Sequence, residues 1–251
     1  MNPVVSVVIA TRNCAGTVGA ALESVLRFGG NRVELLVRDG GSTDDTLKVL
    51  RQYETHIAWW ESSPDKGVYD AMNQAVKQAR APHIYFLGAD DQLLEGFSAA
   101  LDRLVEPGTL YYGDVLLAST GKRYAGAFDG RKLARTNICQ QAIFYPREVF
   151  TRRQFDLRYP RLADWAFNMA CWSDPAVRFE YLNLEIALYE DRSGLSARHM
   201  DWAFYDDYGS LLRQHFRPPE RRLALMRYRL SRLYRLATGR SGVRPAPLRG
   251  A

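Results

Sequence analysis

The chain of 251 residues is 47% hydrophobic, 25% charged and 12% aromatic, which fits one folded unit with an appendage and excludes a disordered or fibrous protein. Its 34 Lys and Arg exceed its 28 Asp and Glu by six, but residues 213–251 hold eleven arginines against the single acid Glu220, so that segment carries +10 and the first 212 residues carry −4. The basic balance therefore belongs to the tail, and no nucleic-acid partner is expected. No uncharged run approaches the roughly 20 residues that span a bilayer. The opening MNPVVSVVIATR lacks a basic stretch before its apolar run, so a cleaved secretory signal is not expected. Cys14, Cys139 and Cys171 lie far apart without a CxxC pair, which argues against a disulfide framework or a zinc site and fits a reducing cytosol.

In chain order, residues 4–10 (VVSVVIA) read as a strand buried on both faces of a parallel sheet, and 16–27 read as a helix with Val18, Ala21, Leu22 and Val25 on one face. A second strand over 33–38 ends at Asp39-Gly40-Gly41. Ser42 and Asp45 then have the spacing of a capping box that opens a helix. The alternation continues with a strand over 57–60, a helix over 68–79, a strand over 83–87 and a helix over 97–105. This is an α/β arrangement with a doubly wound, mostly parallel sheet and helices on both faces. Beyond residue 110 the pattern weakens: short strands are expected at 110–112, 115–118 and 142–145, a helix at 163–172, one or two strands within 177–188 and a polar loop at 190–196. Two C-terminal helices follow at 200–216 and 220–237, and the Gly-, Pro- and Arg-rich 240–251 reads as a disordered tail.

Ligands of an open parallel sheet bind beyond the carboxyl ends of its strands. The polar residues at those ends are Thr11 to Asn13, Asp39, Asp65 with Lys66, and Asp90-Asp91. Each acid has a turn or capping role open to it, but acids recurring on one rim repel unless a cation or hydrogen-bonding ligand lies between them. The segment TRNCAG after the first strand lacks the glycine pattern of a dinucleotide site, and neither a GK[ST] phosphate loop nor a GxSxG elbow is present.

The ordered segments VSVVIATRN, VELLVRDGGSTDDT, ESSPDKGVYDAMNQAV and IYFLGADD, continued more thinly by YYGDV, CQQAIFYPREVF and LADWAF, make the chain similar to family 2 glycosyltransferases of the GT-A fold. The resemblance is strongest to the bacterial branch that builds polysaccharides and lipopolysaccharide. It implies a GT-A catalytic domain over 1–198, divided into a nucleotide-sugar-binding half (1–109) and an acceptor-binding half (110–198), followed by basic amphipathic helices over 199–239. By the same resemblance Thr11, Asn13, Asp39, Asp65, Lys66, Gly67, Asn73 and Arg192 contact the donor, Asp90 and Asp91 hold Mg or Mn at its diphosphate, and Asp164 is the catalytic carboxylate that takes the proton from the acceptor hydroxyl. Asp70 and Asn73 also suit a purely structural place on a helix, Asp164 a helix cap, and Trp165 either an acceptor wall or the core. Two positions depart from the pattern: Gly88 replaces the first acid of D-x-D, and Gln140-Gln141 stands where His-Gln is common.

The expected activity is transfer of a sugar, with inversion, from a nucleotide-diphosphate sugar to an acceptor hydroxyl; UDP is favoured over GDP or dTDP, and a glycan or lipid-linked acceptor is expected. The alternatives are a sugar-phosphate nucleotidyltransferase and a non-catalytic nucleotide-sugar-binding protein. In the last helix Leu223, Met226, Leu230, Leu233, Tyr234 and Ala237 share one stripe while Arg221, Arg229, Arg232 and Arg235 lie on the other side. That pattern suits either an anionic membrane surface, placing the protein at the inner face of the cytoplasmic membrane, or packing on the protein's own body or in a homodimer.

Overall fold

The structure, a computed structural model, describes residues 2–192 and 200–238, with side chains as far as residue 231. A nine-stranded sheet runs through the molecule in the order β3-β2-β1-β4-β8-β6-β9-β5, with β7 paired to β6. The strands are β1 Val5–Thr11, β2 Val33–Asp39, β3 Trp59–Ser62, β4 His83–Gly88, β5 Gln92–Leu93, β6 Thr109–Leu117, β7 Arg123–Tyr124, β8 Ile143–Pro146 and β9 Arg178–Tyr189. The first four are mutually parallel, β8 runs antiparallel between β4 and β6, and β6 with β9 is parallel again. The two expected halves thus share one continuous sheet.

The helices are α1 Val18–Gly29, α2 Thr46–Gln52, α3 Val68–Val76, α4 Glu95–Leu101, α5 Gly130–Leu133, α6 Glu148–Arg152, α7 Ala163–Trp172, α8 Trp202–His215 and α9 Pro218–Thr238. Strand alternation sorts the core into two layers. Val5, Val7 and Ile9 pack with Val18, Leu22 and Phe97 of α1 and α4, while Val8, Leu36 and Phe86 pack with Met72 of α3 and Phe167 of α7. Because side chains on both faces are buried, β1, β2 and β4 are the near-continuous apolar runs that the sequence shows.

Several local expectations change. The strands expected at 110–112 and 115–118 are one strand, β6, whose register shifts around Asp114. Gly113 lies at that shift, where a Cβ would come 2.5 Å from the Leu184 carbonyl oxygen. The region 177–188 is likewise one long strand, with Asn183 at φ +45° beside the same irregularity. Helix α4 begins and ends earlier than expected. The capping box is absent: α2 starts at Thr46, Ser42 Oγ donates to Asp39, and Asp44 Oδ1 accepts from the Thr46 amide at 3.0 Å. The 190–196 loop is described only as far as Arg192, and the 240–251 tail lies outside the described residues.

Helix α9 rests on α5 and α8. Ala224 is buried, and Leu225 and Tyr228 pack against the core; Gly209 of α8 leaves room for the Tyr228 ring, since a Cβ there would lie 2.7 Å from its Cε1. The packed face is therefore not the stripe begun at Leu223. Leu223, Met226 and Leu230 are 42%, 52% and 59% exposed; the stripe's further members lie beyond the described side chains. Among the described residues no helix is long and apolar enough to cross a membrane.

Candidate active site

Register brings the strand ends to one rim: Thr11 pairs with Asp39, Asp39 with Ser62, and Ala10 with Gly88. Asp39 is wholly buried. Its Oδ1 accepts from Thr11 Oγ1 (2.9 Å) and Ser42 Oγ (2.5 Å), and its Oδ2 from the amides of Gly41 (3.0 Å) and Ser42 (2.8 Å) and from Ser62 Oγ (2.7 Å). These bonds outweigh the burial and hold the carboxyl below its usual range. Five donors fill the lone-pair sites of a carboxylate. Thr11 and Asp39, expected at the base and ribose, together knit the loops after β1, β2 and β3.

Arg38, also buried, reinforces this seam. Its Nε donates to Gln74 Oε1 at 2.9 Å, and its guanidinium holds the Ser63 carbonyl and hydroxyl at 2.9 and 2.8 Å. Asn13, at φ +50°, accepts from the Thr43 amide at 2.8 Å and is exposed on the rim. Asp65 packs against Gly40, where a Cβ would meet its Oδ2 at 2.5 Å, and accepts from the Gly67 amide at 2.8 Å. Gly67 adopts φ +115°, which a side chain disfavours, and it and Lys66 are exposed. Asn73 is buried, and its amide closes both the carbonyl and the N–H of Phe155 at 2.9 and 3.0 Å, the structural place on a helix that the sequence also left open to it. Asp70 accepts from the Lys66 amide and Gln74. Arg192 is exposed and donates to the Ala118 carbonyl at 3.1 Å.

At the end of β4, Asp90 is exposed and Asp91 buried. Asp91 Oδ1 accepts from the Glu190 amide at 2.8 Å, tying this loop to the end of β9, and its Oδ2 has no partner among the described residues. The glycine that replaces the first acid of D-x-D explains the geometry. A Cβ at position 88 would lie 2.2 Å from Asp91 Oδ2 and 3.0 Å from Asp90 Oδ1, so both carboxylates border the space that glycine leaves. Burial first, and then the Asp90 charge, push Asp91 up to about 7. An orphaned carboxylate oxygen beside a second carboxylate fits a hard divalent cation, which takes one or two carboxylates and completes its shell with water and substrate phosphate oxygens.

Asp164 sits in the first turn of α7, but Leu162 occupies the cap position and the Asp164 side chain bonds elsewhere. Tyr69 Oη, from the first turn of α3, donates to Oδ1 at 2.8 Å, and Asn137 Nδ2 donates to Oδ2 at 2.6 Å. Asn168 Nδ2 holds Asn137 Oδ1 at 2.8 Å, and Tyr145 Oη holds Asn168 Oδ1 at 2.8 Å, so four side chains from four segments fix one carboxylate. Burial raises Asp164 to about 6 against the pull of those donors. The Cys139 thiol, raised by burial, is raised further by both Asp91 and Asp164, which places the two acids around the same loop. Asp201 joins the start of α7 to that of α8 by accepting from the amides of Arg161, Leu162 and Phe204. Trp165 is core: its ring stacks on Phe204 and its Nε1 donates to the Leu133 carbonyl. Tyr69 stands within the DKGVYDAMN motif, where tyrosine in an amphipathic helix looks like core. Asn137 has no sequence signal at all.

The chain that carries this rim and the buried Asp164 is similar to known proteins. The chain is 42% identical over 211 residues to a PGL/p-HBAD biosynthesis glycosyltransferase of Mycobacterium tuberculosis, covering 80% of this chain and 82% of that one. It is 35% identical over 88 residues, 35% of each chain, to the Escherichia coli UDP-Glc:alpha-D-GlcNAc-diphosphoundecaprenol beta-1,3-glucosyltransferase WfaP. Staphylococcus aureus TarS 1-349 in complex with UDP-GlcNAc shares the fold at a TM-score of 0.67 and 16% identity, over 92% of this chain and 73% of that one. The mannosyltransferase PcManGT of Pyrobaculum calidifontis, solved with GDP-Man and Mn2+, does so at a TM-score of 0.62 and 17% identity, over 98% and 77%. The model of glycosyl transferase family 2 matches residues 6–164, and the chain belongs to that family.

Proposed function

We propose that the protein transfers a sugar from a UDP-sugar to an acceptor hydroxyl with inversion, Asp164 serving as general base. The observation that carries this reading is the environment of Asp164: a buried carboxylate raised to about 6, oriented by Tyr69 and Asn137, is ionised at neutral pH yet basic enough to take a proton from an attacking hydroxyl. The donor contacts are assigned to the exposed loops, with Asn13, Asp65, Lys66 and Gly67 beside the nucleotide and Arg192 near its phosphates, while Thr11 and Asp39 hold the rim loops from beneath and Asn73 fixes the segment at Phe155. Asp90 and Asp91 would hold Mg or Mn, which when bound neutralises the donor diphosphate.

WfaP is named for a diphosphoundecaprenol acceptor. A lipid-linked acceptor is proposed here on that likeness and on the basic C-terminal segment, with the protein peripheral at the inner face of the cytoplasmic membrane. The test is incubation with UDP-sugars and lipid-diphosphate glycan acceptors, with and without Mn2+, reading the product's anomeric configuration by NMR. Retention of configuration, or turnover by Asp164→Asn near that of the unmodified protein, contradicts the reading.

A further inference from the structure

On the outer side of α5, residues Arg131 and Arg135 face α9 across a cleft of about 420 Å³ that Arg222, Leu223 and Met226 complete. None of the three arginines is in an ion pair among the described residues. The one acid in the cleft, Glu220, is turned to Gly130, where a Cβ would lie 2.3 Å from its Oε1, and it accepts from the Arg217 amide at 2.9 Å. Three guanidinium groups thus share a cleft whose wall is apolar and exposed, and Leu230 extends that wall two turns along α9. A site for a free anion needs no such wall, and a protein core needs no such arginines. An anionic amphiphile satisfies both.

We propose that this cleft binds the phosphate of an anionic phospholipid in a bilayer surface, with Leu223, Met226 and Leu230 entering the acyl boundary. This inference rests on the reading of a membrane-borne acceptor and gives it a location. The inner side of the same segment carries Asn137, two residues after Arg135, which holds Asp164. Leu133 and Ala134 tie the segment to Trp165 and Tyr208. A lipid head in the cleft therefore brings the membrane to the flank of the proposed base, where a lipid-linked hydroxyl must arrive. The bilayer contact is specific to α5 and α9 rather than spread over the arginine-rich tail.

The full chain is to be sedimented with phosphatidylglycerol vesicles and with phosphatidylcholine vesicles at low salt, and UDP binding measured in parallel. Binding to the anionic vesicles alone is expected. It should weaken about a hundredfold in Arg131→Gln/Arg135→Gln/Arg222→Gln, from roughly fivefold per arginine at an anionic surface. It should weaken at least tenfold in Leu223→Ser/Met226→Ser, which keeps every charge. Inorganic phosphate should not displace the vesicles. Unchanged binding in either variant, displacement by inorganic phosphate, or no vesicle binding by the full chain overturns the proposal. Absence of UDP binding with vesicle binding intact would instead remove the UDP-sugar donor of the proposed function and leave the cleft standing.

Discussion

At the scale of single residues the proposed site divides into groups assigned to the substrate and groups that hold them in place. Asp164→Asn keeps the shape and loses the basicity, so turnover is expected to fall about 10²- to 10⁴-fold with donor affinity nearly unchanged, as separate kcat and donor-binding measurements will show. In its proposed role as base, Asp164 works ionised. With Asp164 raised to about 6, activity is present above that pH and is lost as pH falls through it, which a profile of kcat/KM from pH 5 to 8 reads directly. Tyr69 donates to the charged form of Asp164 and so stabilises it. Tyr69→Phe should move the acid limb of that profile to higher pH, whereas a purely packing role for the hydroxyl would leave the limb in place. Asn73 illustrates the other group. Asn73→Ala leaves the buried N–H and carbonyl of Phe155 without partners and should cost about 2–4 kcal/mol in urea unfolding while donor affinity stays the same.

Among elements, the two longest strands decide how the C-terminal half of the sheet is built. β6 and β9 run parallel for nearly their whole length, and their register shifts at Asp114, whose carboxylate accepts from Tyr181 Oη at 2.6 Å and pairs with Arg123 at 2.9 Å. Gly113 makes that shift sterically open. Gly113→Ala would drive a Cβ against the Leu184 carbonyl and Ile186, and a loss of about 1–3 kcal/mol in thermal or urea unfolding is expected. The loop after β4 is governed by the same economy of space: Gly88 admits the Asp91 carboxylate that a longer side chain would displace. Asp90 and Asp91 thereby border one point even though the usual first acid is missing.

Across the whole molecule, ligand and helix packing both feed into stability. A donor nucleotide at 100 times its dissociation constant stabilises by about 2.7 kcal/mol, which for a chain of this size is roughly 5–10 °C in Tm. UDP with Mn2+ should give that shift, UDP with EDTA much less, and Asp90→Ala should show the EDTA behaviour in both conditions. Full stabilisation in EDTA would exclude a metal at this site. Truncation after Pro218 removes Ala224, Leu225 and Tyr228 from the core side of α8, so it is expected to lower Tm by roughly 5–10 °C. Membrane binding is accordingly better probed by the cleft variants than by deletion.

The sequence by itself determined the α/β class, the four parallel strands and their order of appearance, and the family, because buried parallel strands must be continuous apolar runs and because the loops at their ends carry residues in a fixed succession. It also marked Asp164, Asp90 and the Asp65–Gly67 loop as polar residues at places where polar residues need a reason. Only the tertiary structure decided what those residues face. The partners that Asp39 and Asn73 hold within the chain, Ser62 and Phe155, lie 23 and 82 residues away, and no local pattern encodes such pairing. Tyr69 and Asn137 reach Asp164 from 95 and 27 residues away, and Tyr145 reaches Asn168 from 23, for the same reason. The last helix shows the point most plainly: helical spacing put Leu223, Met226 and Leu230 on one stripe, but the shape of α8, with Gly209 opening space for Tyr228, selected a different face for the core and left that stripe at the surface.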